Sequence, residues 1–159
     1  MPALRYNGSR GEHMRILIDA DGCPVVRLCV RIAREYGIES IIYCDSAHVF
    51  HIEGVKTVTV STGADSVDFY LVNQLQKGDI VVTQDYGLAA MCLGKGARAL
   101  NQNGMEYASD NIDALLFSRY SAKKARMAGE RLRGPKKRKP AEDAAFEAAL
   151  RKMLNKQSV

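Results

Sequence analysis

Short apolar runs alternate with stretches of helical periodicity along most of this chain. That alternation limits the folds open to it more than any other feature. Arg15-Ile-Leu-Ile-Asp19, Ser40-Ile-Ile-Tyr-Cys44, Val55 to Val60 and Ile80-Val-Val-Thr83 read as strands, and Ala97 to Leu100 as a fifth. Several are apolar at consecutive positions, which suits strands buried on both faces of a parallel sheet. After the first strand, Pro24 is placed for a first helical turn. Val25, Val26, Cys29, Ile32, Ala33 and Tyr36 then recur at helical spacing up to Gly37. Further helices are predicted over Asp65–Lys77, stopped by Gly78, and over Tyr86–Leu93, closed by Gly94 and Gly96. Asn103-Gly104 is a hairpin-type turn, and a last ordered helix runs from Asp110 to about Gly129. The expected fold class is α/β: a three-layer sandwich around a mainly parallel sheet of four to five strands.

The 159 residues suit one domain with a real core. Residues 1–13 are polar and irregular and read as a leader or N-terminal extension. The α/β domain is expected over residues 14–129, with a basic, flexible tail over 130–159. Within that tail, residues 141–155 read as a loose terminal helix. No apolar run is long enough to span a bilayer, so no membrane partner is expected. The four cysteines (Cys23, Cys29, Cys44, Cys92) form no C-x-x-C and read as reduced buried thiols of a cytoplasmic protein.

Charge is unevenly placed. Between Arg119 and Lys139 there are ten Lys and Arg and one acid, Glu130, while the whole chain carries only +5; the remainder is net acidic. Lys123, Lys124, Arg126, Arg131, Arg133, Lys136, Lys137, Arg138 and Lys139 are therefore the candidates for binding RNA or another nucleic acid through phosphates. A solvated end that keeps the protein soluble is the competing reading.

Acids gather where open α/β sheets bind ligands, beyond the carboxyl ends of the strands. Asp19 ends the first strand and Asp21 lies in the next loop. Asp65 and Asp68 follow the third strand, and Asp85 follows the fourth. Carboxylates sharing one cleft repel each other, and a divalent cation with oxygen ligands, Mg²⁺ or Mn²⁺, offsets that repulsion. Such an ion can activate water for attack on a phosphodiester. Asp65 and Asp68 also read as N-cap and capping-box partner, and Asp21 as a turn residue. Asp19 resists a bland reading, because a carboxylate ending a buried strand needs a partner; Asp85 repeats the case. Ser61, Thr62 and Thr83 lie near the same edge, as participants or as helix caps. Asp79 precedes the fourth strand and falls at the opposite edge. His48 and His51 read as loop residues rather than ligands.

Asp19-Ala-Asp21-Gly also resembles the opening motif of haloacid-dehalogenase-like phosphatases, with Asp19 as nucleophile and Asp21 as general acid. That family needs a second acidic pair, and Asp79 and Asp85 stand roughly 20 Å apart along an extended chain.

Three motifs together, Ile18-Asp-Ala-Asp-Gly-Cys-Pro-Val25, Gly63-Ala-Asp-Ser-Val-Asp68 and Gly78-Asp-Ile-Val-Val-Thr-Gln-Asp-Tyr-Gly-Leu-Ala89, resemble the YaiI/YqxD family of bacterial proteins. Lys95-Gly-Ala97 and Leu100-Asn101 fit it too. The resemblance covers about Met14 to Met127. The family's pattern is similar to that of PIN-like domains, which are Mg²⁺- or Mn²⁺-dependent ribonucleases. That resemblance implies a PIN-like fold, Asp19, Asp65, Asp68 and Asp85 as metal ligands, and Asp19 and Asp85 as the catalytic acids; Asp21 has no secure counterpart. It also implies a metal-dependent nuclease acting on RNA, with a non-catalytic RNA-binding module of the same fold as the alternative.

Overall fold

A computed structural model of the chain describes residues 14–61, 66–129 and 137–156. In chain order these form β1 (Arg15–Asp19), α1 (Val26–Glu35), β2 (Glu39–Asp45), β3 (Lys56–Val60), α2 (Ser66–Gln74), β4 (Ile80–Val82), α3 (Tyr86–Gly94), β5 (Arg98–Leu100), α4 (Ser109–Met127) and α5 (Pro140–Lys156). The strands make one sheet in the order β3-β2-β1-β4-β5, with every pairing parallel. The fold is therefore the α/β sandwich that the alternating pattern predicts. β1 lies at the centre with Ile16, Leu17 and Ile18 fully buried, as befits a strand covered on both faces.

Strand order decides which helix covers which face. The steps β1 to β2 and β2 to β3 run one way from the centre, and β3 to β4 and β4 to β5 run the other. Crossovers of one hand then place the two sets on opposite faces. Accordingly α1 and the β2–β3 connection (Phe50, Ile52, Val55) pack on the face carrying Ile16, Ile18, Ile42, Ile80, Val82 and Leu100. On the other face α2 and α3 cover Leu17, Ile41, Tyr43 and Val81. α4 is an outer element, packed on α3 through Ile112 and Leu115 against Ala89, Ala99 and Tyr107.

Residues over β4 and β5 on the α1 face need a cover that no crossover provides. α5 supplies it. Phe146, Leu150, Met153 and Leu154 are buried in the same cluster as Ile80, Val82 and Leu100. Ion pairs Arg31–Glu147 (3.1 Å) and Arg151–Glu35 (2.7 Å) fasten the helix beside α1. The hairpin-type turn after β5 seats its start: Gly104 has φ +89°, and a Cβ there would lie 2.5 Å from the Ala145 carbonyl oxygen. The expectation of a loose terminal helix on a flexible tail is thus overturned for residues 140–156. An exposed apolar sheet face had to be buried, and this helix buries it.

α2 is shorter than the expected Asp65–Lys77. The Arg15 guanidinium donates to the Gln74 carbonyl (2.9 Å) and to both carboxylate oxygens of Asp79 (2.6 and 3.2 Å), and Asp79 also accepts from the Gln76 amide (2.8 Å). This tie at the amino edge of the sheet turns the chain out of the helix. It also places Asp79 at the opposite edge from the other acids.

Candidate metal centre

β1 and β4 are neighbours in register, Ile18 opposite Val82, so the next residues, Asp19 and Thr83, meet at the carboxyl edge. The Thr83 hydroxyl donates to Asp19 Oδ2 at 2.8 Å and accepts from the Asp85 amide at 3.0 Å. Tyr107, itself buried, donates its hydroxyl to the Thr83 carbonyl at 3.0 Å. Asp85 caps α3, its Oδ1 accepting from the amides of Gly87 (2.9 Å) and Leu88 (3.2 Å). The sequence pattern assigns capping to Asp65 and Asp68 and not to this acid; here the cap fixes Asp85 beside the β1 end.

Asp19 is 7% exposed. Burial pushes its pKa up to about 6; the Thr83 hydrogen bond opposes this, and the carboxylates of Asp85 and Asp21 add to it. Asp68 stands in the first turn of α2, close enough for its charge to act on Cys92, but among the described residues the carboxylates of Asp19, Asp68 and Asp85 are not drawn together within the span of one ion. Burial pushes the nearby Cys92 thiol up to about 12, with the charges of Asp68 and Asp19 adding to the shift. Ser61 is exposed just past β3, the edge strand, two strands away from β1. Asp65 and Thr62 lie outside the described residues.

Sequence reasoning missed a second acidic group at this edge. Asp45 ends β2 as Asp19 ends β1, and it accepts from the amides of Ala47 (2.9 Å) and His48 (2.8 Å) and contacts the His48 ring at 3.1 Å. Burial works to raise the Asp45 pKa, but these hydrogen bonds outweigh it and hold the carboxyl below its ordinary value. One ligand atom each of Asp21, Asp45 and His48 lies within 4.8 Å of the others. That is close to the roughly 4.2 Å that opposed ligands span across one small cation. Two carboxylates and an imidazole are a donor set that a divalent ion accepts. Gln84, between Thr83 and Asp85, donates to the Asp21 carbonyl at 3.3 Å and ties this loop to the first group. The signal for Asp45 was present, since Ser40-Ile-Ile-Tyr-Cys-Asp45 repeats the pattern of an apolar run ending in an acid. The signal for His48 was not, since its placement depends on the Asp45 turn.

Among the basic candidates, Lys123, Lys124 and Arg126 are exposed at the end of α4, and Lys137 and Lys139 are exposed ahead of α5. Arg131, Arg133 and Lys136 lie outside the described residues. Arg138 is engaged within the fold. It donates to Asp143 (2.7 Å), Asn103 (2.7 Å) and the Gln102 carbonyl (2.7 Å), locking α5 to the turn after β5. A groove of about 450 Å³ on the outer side of α1 is lined by Arg27, Arg31 and Arg34. Its cations are already engaged, with the Phe50 ring, Glu147 and the Glu53 carbonyl respectively. Cys29, Cys44 and Cys92 are buried free thiols, and Cys23 is a half-buried one. Among the described residues no helix is long and apolar enough to cross a membrane.

Comparison with known proteins agrees with the motifs. The family described as "Uncharacterized BCR, YaiI/YqxD family" matches residues 17–156, so the likeness extends through α5 rather than stopping near Met127. A UPF0178 protein of Exiguobacterium sibiricum is 48% identical over 145 residues, 91% of this chain and 99% of that protein. Another, from Clostridium acetobutylicum, is 47% identical over 143 residues, covering 89% and 97%. One from Ruminiclostridium cellulolyticum is 52% identical over 138 residues, covering 86% and 90%. No solved structure is significantly similar to the chain. The chain belongs to the YaiI/YqxD family.

Proposed function

We propose that this member of the YaiI/YqxD family hydrolyses phosphodiester bonds in RNA at the carboxyl edge of its sheet, with Mg²⁺ or Mn²⁺ as cofactor. The observation that carries the reading is Asp19. It is a carboxylate buried at the end of the central strand, raised to about 6, with two further carboxylates close enough to raise it. Its position is the point where the strand order reverses, the usual ligand crevice of an open α/β sheet. A charge kept under such strain in a crevice is a functional candidate. The resemblance of the acid pattern to PIN-like nucleases points the same way.

Asp19, Asp85 and Asp68 would hold the ion, with Asp21, Asp45 and His48 as a neighbouring set. When bound, the ion supplies an activated water and neutralises charge on the phosphate. The chain's own residues supply the positioning. Thr83 fixes the Asp19 carboxylate through its hydroxyl, and the amides of Gly87 and Leu88 fix that of Asp85. Lys123, Arg126, Lys137 and Lys139 would contact the phosphates of the strand.

The test is cleavage of end-labelled single-stranded RNA with Mn²⁺ by wild-type protein and Asp19→Asn. Metal-dependent cleavage that falls by roughly a hundredfold or more in the variant is expected. Equal cleavage by both proteins, or none by the wild type, contradicts the reading. Salt-sensitive binding without turnover would leave a binding module in its place.

A further inference from the structure

α4 has two halves with different surroundings. Its first turns pack on α3 through Ile112 and Leu115. From residue 116 to 127, none of the residues whose side chains are described is buried. Yet this half carries large apolar side chains: Leu116 (37% exposed), Phe117 (70%), Tyr120 (63%) and Met127 (81%). At helical spacing these four fall within an arc of about 100° and form a single stripe. Three helical turns that bury no described side chain are marginal in water by themselves, and most helical stability comes from burying an apolar face. Exposed apolar stripes of this kind mark contacts with another molecule.

The charges on the stripe say which molecule. Asp113 lies on its N-terminal side and Lys124 on its C-terminal side, within the same arc. Two copies of α4 laid antiparallel, with the two-fold axis midway between Phe117 and Tyr120, set Phe117 of each copy against Tyr120 of the other. The same register sets Asp113 against Lys124 at both ends. A stripe that complements itself in charge and pairs ring with ring under one two-fold operation meets the requirement for an isologous dimer. A nucleic-acid strand would use the lysine and the rings but would meet Asp113 with like charge.

We propose that the exposed half of α4 is a dimer interface, occupied by α4 of a second copy of this chain in antiparallel orientation. The test uses the full chain, with mass measured by light scattering or sedimentation across a concentration series. Wild type is expected to dimerise. Asp113→Lys or Lys124→Asp alone weakens the dimer by roughly tenfold or more, because each places like charges opposite one another twice. The double variant Asp113→Lys/Lys124→Asp restores it, which separates a lost interface from lost folding; circular dichroism of each variant matches wild type. A chain monomeric throughout the series overturns the proposal, as does a dimer indifferent to both swaps or a loss that the double variant fails to repair. A monomer that loses binding to a fluorescent single-stranded oligonucleotide on Phe117→Ala and Tyr120→Ala would assign the stripe to nucleic acid instead.

Discussion

At neutral pH the Asp19 carboxylate is charged in surroundings that raise its pKa from 3.8 to about 6. Between those values the folded chain holds a proton that the unfolded chain has released, so stability falls as pH rises through that window. Above about pH 6 the penalty is complete and constant, on the order of 3 kcal/mol. Asp19→Asn removes the charge and keeps an oxygen to accept from Thr83. Denaturant melts without metal should therefore find the variant more stable than wild type at pH 7.5 by about that amount, with the advantage gone near pH 4. Added Mn²⁺ should stabilise wild type more than the variant, which keeps only the Asp21, Asp45 and His48 set intact. Equal stabilities at pH 7.5 would contradict the burial argument. The strain on Asp19 was legible from a carboxylate closing an apolar run. Its partner was half legible: Thr83 lay near the edge, but only pairing of β1 with β4 makes its hydroxyl the donor. Asp45 shows the limit, because ending the second strand at Cys44 hid an acid in the same position as Asp19.

β1, β2 and β4 were legible because their residues are apolar on both faces, and β3 through its β-branched residues; only the strand ends moved by a residue or so. The end of α2 was not, because it is set by Arg15, whose contacts with Gln74 and Asp79 span 59 and 64 residues of sequence. α5 was misread although its pattern was available. Phe146, Leu150, Met153 and Leu154 recur at helical spacing, but the adjoining basic run suggested a solvated tail. The sheet supplies the missing reason, since β4 and β5 leave one face bare on the α1 side. α5 is thus part of the core. Phe146→Ala removes a fully buried aromatic ring and should lower unfolding free energy by roughly 3–5 kcal/mol in chemical denaturation. A loss under about 1 kcal/mol would return the helix to the status of an appendage.

Strand order is the property of the whole molecule that sequence reading left open, and it decides the composition of the site. The order β3-β2-β1-β4-β5 puts β1 between the acid-ended strand β2 and the Thr83–Asp85 segment after β4. It therefore gathers Asp19 with Asp85 on one side and Asp21 with Asp45 and His48 on the other, while Ser61 stays at the outer edge. Asp79, held by Arg15 at the amino edge, takes no part. Everything proposed for this edge depends on its binding a divalent cation through Asp19. Anomalous diffraction from crystals grown with Mn²⁺ is the decisive measurement. A peak is expected about 2.1 Å from a carboxylate oxygen of Asp19. An edge without a peak, or manganese bound only away from Asp19, would contradict it.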